Sequence, residues 1–199
     1  MMRVNKSIPI ICLAMGHVLT GNAQNSKETG LVPSASDFVS SPLRNSITLE
    51  LNATAPKVWA LLGKLERMPE YSSGLKKVEA KYDDANYCKE FTCTFLPMEE
   101  GMPETTHSEI IKWYEPNVGL ASIAEEPNLL GLKNSLGILV LKSKDKKTIL
   151  QWSQHFDGDN TESLKMNIEG FRLALNEDIA NNLIKTFGGQ ILESYVQQL

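Results

Sequence analysis

The chain has 199 residues, 42% of them hydrophobic and 22% charged, which is the composition of one globular domain large enough to bury a core and argues against a second. Its 24 acids and 20 bases give a net charge of −4. The one dense basic run, Lys142-Ser-Lys-Asp-Lys-Lys147, reads as a solvated hairpin turn and is too narrow for a nucleic-acid surface.

Residues 1–23, MMRVNKSIPIICLAMGHVLTGNA, place two bases ahead of a short apolar stretch and end on small residues, the pattern of a signal peptide cleaved after Ala23. Arg3 and Lys6 leave with it, taking the net charge from −4 to −6. The apolar stretch is shorter than the roughly 20 residues of a membrane span and contains His17, so no stable membrane insertion of the mature chain is expected. Cys12 follows Ile10 and Ile11 and lacks the small neighbours of a lipid attachment site. The expected destination is the periplasm or the exterior.

The mature chain keeps Cys88 and Cys93. Five residues apart in one strand, at ~3.3 Å each, they stand about 16 Å apart on opposite faces and cannot pair. With only His107 and His155 left beside them, no metal site is expected, and no cofactor. The triplet Asn52-Ala-Thr54 would matter only in a glycosylating host.

Residues 24–44 form a Ser-rich, flexible N-terminal segment, and the domain occupies 45–199. It opens with "NSITLELNA", where Ile47, Leu49 and Leu51 alternate with polar residues as in a half-buried strand. A helix follows, with Thr54 as the cap, Pro56 in the first turn, and Val58, Leu61, Leu62 and Leu65 on one face. "MPEYSSG" ends it, with room for a second short helix.

Six strands are expected next, over 76–82, 87–96, 106–114, 120–125, 138–144 and 148–156. Turn residues at Asp83-Asp84, Glu115-Pro-Asn117 and Lys144-Asp145 make the neighbours antiparallel. After Asn160 the period becomes helical, with Phe171, Leu175, Ile179, Leu183 and Phe187 every four residues. Ile191, Leu192 and Tyr195 extend this into one long closing helix, kinked or broken at Gly188-Gly189. The fold class is therefore α+β: a curved antiparallel sheet of about seven strands wrapped around a long C-terminal helix.

"ITLELNATAPKVWALLGKLERMPEYSSGLKKVEA" and "KTILQWSQHFDG" resemble the two ends of the helix-grip superfamily, which includes polyketide cyclase/dehydrase-like, START-type lipid-transfer and Bet v 1-like proteins. The resemblance spans about Ser46 to the C-terminus and rests on element order. It implies a cavity between the concave face of the sheet and the long helix, lined by inward-pointing side chains.

Strand alternation names the lining. Phe91, Cys93 and Phe95 share one face; His107, Glu109, Ile111 and Trp113 share another; Leu150, Trp152, Gln154 and Phe156 a third. Phe171, Leu175 and Ile179 face them from the helix. A carboxylate turned into apolar space costs several kcal/mol unless paired, hydrated or protonated, so Glu109 requires a partner such as His107, a water or a ligand.

"GMPETTHSEII" is also similar to the gate loop and following strand of the plant abscisic acid receptors of this superfamily. That likeness implies Gly101, Met102 and Pro103 at a cavity gate and Glu109 touching a ligand through water. "GLKNS" at 131–135 resembles the opposing latch, but Leu130-Gly131 replaces the family's His-Arg pair, so hormone recognition and phosphatase partnering do not carry over.

The preferred reading is an exported binding or carrier protein for a hydrophobic or amphipathic small molecule, lipid-like or polyketide-like, oriented by Glu109 and His107. One alternative is a cyclase, aromatase or dehydratase in which Glu109 and His107 transfer protons. Another is an interaction module with a filled cavity that meets a protein partner through loops at 97–105 and 127–137. Motifs of the commoner hydrolases, metalloproteases, nucleotide-binding and redox enzymes are lacking.

Overall fold

The structure, a computed structural model, describes residues 31–97, 101, 103–124, 128 and 130–199. The segment read as a signal peptide, residues 24–30 and Met102 lie outside the described residues. Strand β1 (Leu43–Leu51) buries Ile47, Leu49 and Leu51 as its alternation requires. Helix α1 (Ala55–Leu62) carries Pro56 in its first turn and buries Val58, Leu61 and Leu62. Thr54 occupies the cap position with extended backbone, but its side chain makes no capping bond; its carbonyl accepts from the Lys57 and Val58 amides instead. A 3-10 turn over Leu65–Glu70 completes the descent.

Strands β2 (Leu75–Tyr82), β3 (Cys88–Phe95), β4 (Thr105–Glu115), β5 (Gly119–Ala124), β6 (Leu132–Lys144) and β7 (Lys147–Gly158) follow as an antiparallel meander. Asn86, Asn117 and Asp145 take positive φ at three of the turns, which Asn and Asp tolerate better than other side-chain-bearing residues. Helix α2 (Thr161–Phe171), capped by the Asn160 side chain accepting from the Ser163 amide, runs without a break into a π-helical stretch (Arg172–Ile179) and α3 (Ala180–Phe187). Strand β8 (Gly189–Val196) then pairs with β1, giving a sheet of eight strands in the order β2-β3-β4-β5-β6-β7-β1-β8. The principal core lies between the inner face of this sheet and the helices, where Leu49, Leu150, Val58, Leu175 and Leu183 meet.

The structure corrects the expected end of the closing helix. It stops at Phe187, and Ile191, Leu192 and Tyr195 belong to β8 rather than to a helical extension. Gly188 has φ +69° and Gly189 φ +124°, outside the right-handed helical region. A side chain at 189 would also place its Cβ 1.9 Å from the Glu50 carbonyl oxygen. The Gly pair thus reverses the chain onto the edge of β1. Ile191, Leu192 and Tyr195 also suit a helical spacing, so periodicity did not reveal the change.

Two bulges correct the strand phases. Pairing of β4 with β5 passes from Ile111↔Ser122 directly to Trp113↔Ala121, so Lys112 is an extra residue. Beyond it the inward and outward faces exchange. Trp113, expected beside His107 and Glu109, instead packs on the outer face with Ala121, Ile138 and Val140. Tyr114 takes the inner face, edge-on to Trp59 at 5.2 Å, and its hydroxyl donates to the Gly63 carbonyl. Likewise β2 and β3 pair Lys81↔Glu90 and then Tyr82↔Cys88, which turns Cys88 into the same core cluster as Cys93 rather than to the opposite face. Both thiols are free.

The outer face is covered by chain expected to be a flexible tether. Ser34–Phe38 forms a single 3-10 turn around Ala35–Asp37, and Ala35, Phe38 and Val39 pack against the outer apolar cluster of Ala121, Leu136, Ile138 and Val140. Regular pairing begins at Leu43. Sheet residues on both faces are therefore buried, and this segment is what covers the second face.

Candidate functional site

A cavity of about 150 Å³ lies between the inner face of the sheet and the long helix. Register builds its floor. Phe91 stands opposite Glu109 and Cys93 opposite His107 across β3 and β4, and directly opposed residues of antiparallel strands share a face. Ser122 stands opposite Gly137, and Gly137 opposite Gln154, carrying the same face across β5, β6 and β7. Phe95, Leu120 and Trp152 add apolar walls.

The roof is the helix where it becomes π-helical. Phe171, Leu175 and Ile179 all face the cavity, with Ala174 beside them. A pure α-helix, at 3.6 residues per turn, rotates residues four apart progressively around its axis, whereas π turns of roughly 4.4 residues rotate them back. The bond from the Ala180 amide to the Leu175 carbonyl, spanning five residues, marks this underwinding. A strict four-residue repeat thereby stays on one face, and Leu175 and Leu183 are both buried.

Within these walls runs a polar row. The Ser122 hydroxyl donates to Glu109 Oε2, while His107 Nε2 lies 3.3 Å from Glu109 Oε1. His107 is buried, and its other ring nitrogen, Nδ1, has no hydrogen-bond partner among the described residues. Gln154 extends the row across Gly137, where a Cβ would lie 3.2 Å from Gln154 Nε2 and 3.5 Å from Ser122 Oγ. A larger residue at 137 would fill the space between these groups. Cys93 is held as a neutral thiol, because burial and then the Glu109 charge push its pKa up to about 12. This suits packing rather than nucleophilic chemistry.

Of the residues named from sequence, Phe91, Phe95, His107, Glu109, Trp152, Gln154, Phe171, Leu175 and Ile179 line this one cavity. Trp113 does not, for the reason of phase given above. Ile111 packs against the inner core but stands outside the lining. Pro103 is exposed and also outside it, so the structure does not place the described part of the gate-like segment against the cavity. Sequence reasoning missed Met68 from the 3-10 turn, Tyr71 just after it, Ser122 and Gly137. Ser122 was accessible, since it alternates with Leu120 in "GLASIA"; the others depend on how distant segments meet.

A larger groove, about 750 Å³, is lined by Trp59, Tyr82, Tyr87 and Tyr114. Its polar groups are largely engaged: Tyr82 donates to Glu66, Tyr114 to Gly63, and Arg67 is held by both Glu70 oxygens. The smaller cavity gathers His107, Glu109, Ser122 and Gln154 within mainly apolar walls, and it is the candidate site. Among the described residues no group of three His, Cys, Asp or Glu is placed to hold a metal ion, and no helix is long and apolar enough to cross a membrane.

No protein-family model matches the chain. No curated protein matches it. Solved structures do. The Zhui aromatase/cyclase from Streptomyces sp. R1128 is 15% identical with a TM-score of 0.60, over 73% of this chain and 93% of that one. The di-domain ARO/CYC StfQ from the steffimycin biosynthetic pathway is 13% identical with a TM-score of 0.57, over 73% of this chain and 50% of that one. A START superfamily protein from Mycobacterium smegmatis is 12% identical with a TM-score of 0.50, over 65% and 92%. At such identities the likeness is one of fold: the chain has the helix-grip fold shared by START and aromatase/cyclase proteins.

Proposed function

We propose that this protein binds or carries a small apolar or amphipathic molecule in the cavity between sheet and long helix, with Glu109 and His107 engaging the guest's polar end. The observation that carries this reading is Glu109, a carboxylate turned inward beside His107 in a mainly apolar chamber. A carboxylate facing apolar space is costly unless its lone pairs are hydrogen-bonded, and a donor on the guest adds to the bond that Ser122 already gives. Apolar contact supplies the remaining affinity, at roughly 25 cal/mol per Å² before association costs. A space of about 150 Å³ suits a guest near the size of one substituted aromatic ring, since an apolar cavity of ~150 Å³ accepts benzene. The helix-grip likeness supports a fold built around such a chamber. The N-terminal segment, read as an export signal, adds the proposal that binding occurs outside the cytoplasm.

One measurement addresses both parts. Native mass spectrometry of the protein recovered from its own host should show a chain beginning at Gln24 and a small-molecule adduct that is lost on denaturation. Repeated recovery of adduct-free protein would overturn the carrier reading, and a chain that retains residues 1–23 would overturn export.

A further inference from the structure

We infer that the cavity selects a neutral, ring-sized guest bearing a hydroxyl group and turns away the corresponding carboxylate. This inference rests on the binding role proposed above and specifies its ligand class. The described residues around the cavity include Glu109 and neither lysine nor arginine, so the fixed charge that a guest meets is negative. In this partly desolvated space a second carboxylate would be repelled more strongly than in water and would have no cation to pair with.

Donor and acceptor counts lead to the same class. Glu109 accepts from Ser122 at Oε2 and faces His107 Nε2 from Oε1, yet two carboxylate oxygens together offer about four lone-pair sites. The Gln154 carboxamide, across Gly137 from Ser122, offers a further acceptor and an N–H donor. The row is thus rich in acceptors. A hydroxyl can donate to Glu109 while accepting from the Gln154 amide; a carboxylate brings acceptors alone. An ammonium group would supply donors and be drawn to Glu109, but the loss of its hydration, several kcal/mol for an ion entering such surroundings, offsets that attraction.

The test is an NMR-monitored titration of the protein at neutral pH with three probes of one shape: p-cresol, 4-methylbenzoate and 4-methylbenzylammonium. p-Cresol is expected to bind at least about tenfold more tightly than either ion. In Glu109→Gln the p-cresol preference over 4-methylbenzoate should shrink to within about threefold. Gln154→Glu, which adds a carboxylate to the row, should instead widen it, and this variant decides the matter should Glu109→Gln not fold. Equal or tighter binding of 4-methylbenzoate, or of the ammonium probe, overturns the hydroxyl selection while leaving the cavity a binding site. A preference unchanged in the folded variants overturns its assignment to this polar row. Failure of all three probes to bind overturns both this inference and the binding role.

Discussion

Cys88 and Cys93 show how little of a side chain's chemistry follows from its identity. Both are buried on the inner face, and burial is the leading cause that pushes their thiols up to about 11 and about 12. A raised thiol pKa means that the reactive thiolate is scarce at pH 8, so neither should be modified by Ellman's reagent in the native protein at that pH. Both should react once urea exposes them; rapid native labelling would refute their burial. Trp113 makes a related point. Its aromatic side chain and its place in an alternating strand marked it as cavity lining, but one extra residue at Lys112 transfers that place on the inner face to Tyr114. Glu109, by contrast, comes before the bulge and keeps its expected orientation.

Among the elements, β8 depends most on single backbone positions. Gly189 combines a φ of +124° with a Cβ direction aimed into the Glu50 carbonyl. Gly189→Ala is therefore expected to cost on the order of 1–3 kcal/mol and to strip amide-exchange protection from β8. Gly170, inside α2 with nothing within 4 Å of its missing Cβ, supplies the contrast. Gly170→Ala should raise stability by roughly 0.5–1 kcal/mol, as expected for a helical glycine in open space. Urea melts of the two variants test the pair, and equal effects would contradict this account of the helix-to-strand switch. The π-helical stretch has a different cause: its underwinding keeps Phe171, Leu175 and Ile179 over the cavity.

At the scale of the whole molecule, Arg44 ties together the two ends of the domain. Its buried guanidinium donates to the Phe156 carbonyl at 2.7 Å, to Gln197 at 2.6 Å and to Asp157 at 2.5 Å, joining β1, β7 and the chain beyond β8. Arg44→Ala leaves those acceptors short of donors and is expected to cost on the order of 2–4 kcal/mol in urea unfolding; a loss under about 0.5 kcal/mol, the scale of a surface substitution, would show the clamp to be ornamental. The order of the first seven strands, α1 and the long helix was legible because each rests on local periodicity and turn chemistry, which any one segment carries within itself. Much of the cavity was legible for the same reason, as His107, Glu109 and Gln154 keep the parity of regular strands. The eighth strand, the two bulges, the docking of 34–39 on the outer face and the meeting of Met68, Tyr71 and Gly137 around one space were decided only by tertiary structure. Pairing register and packing set these features, and both depend on residues far apart in the chain, so no local pattern of hydrophobic residues encodes them.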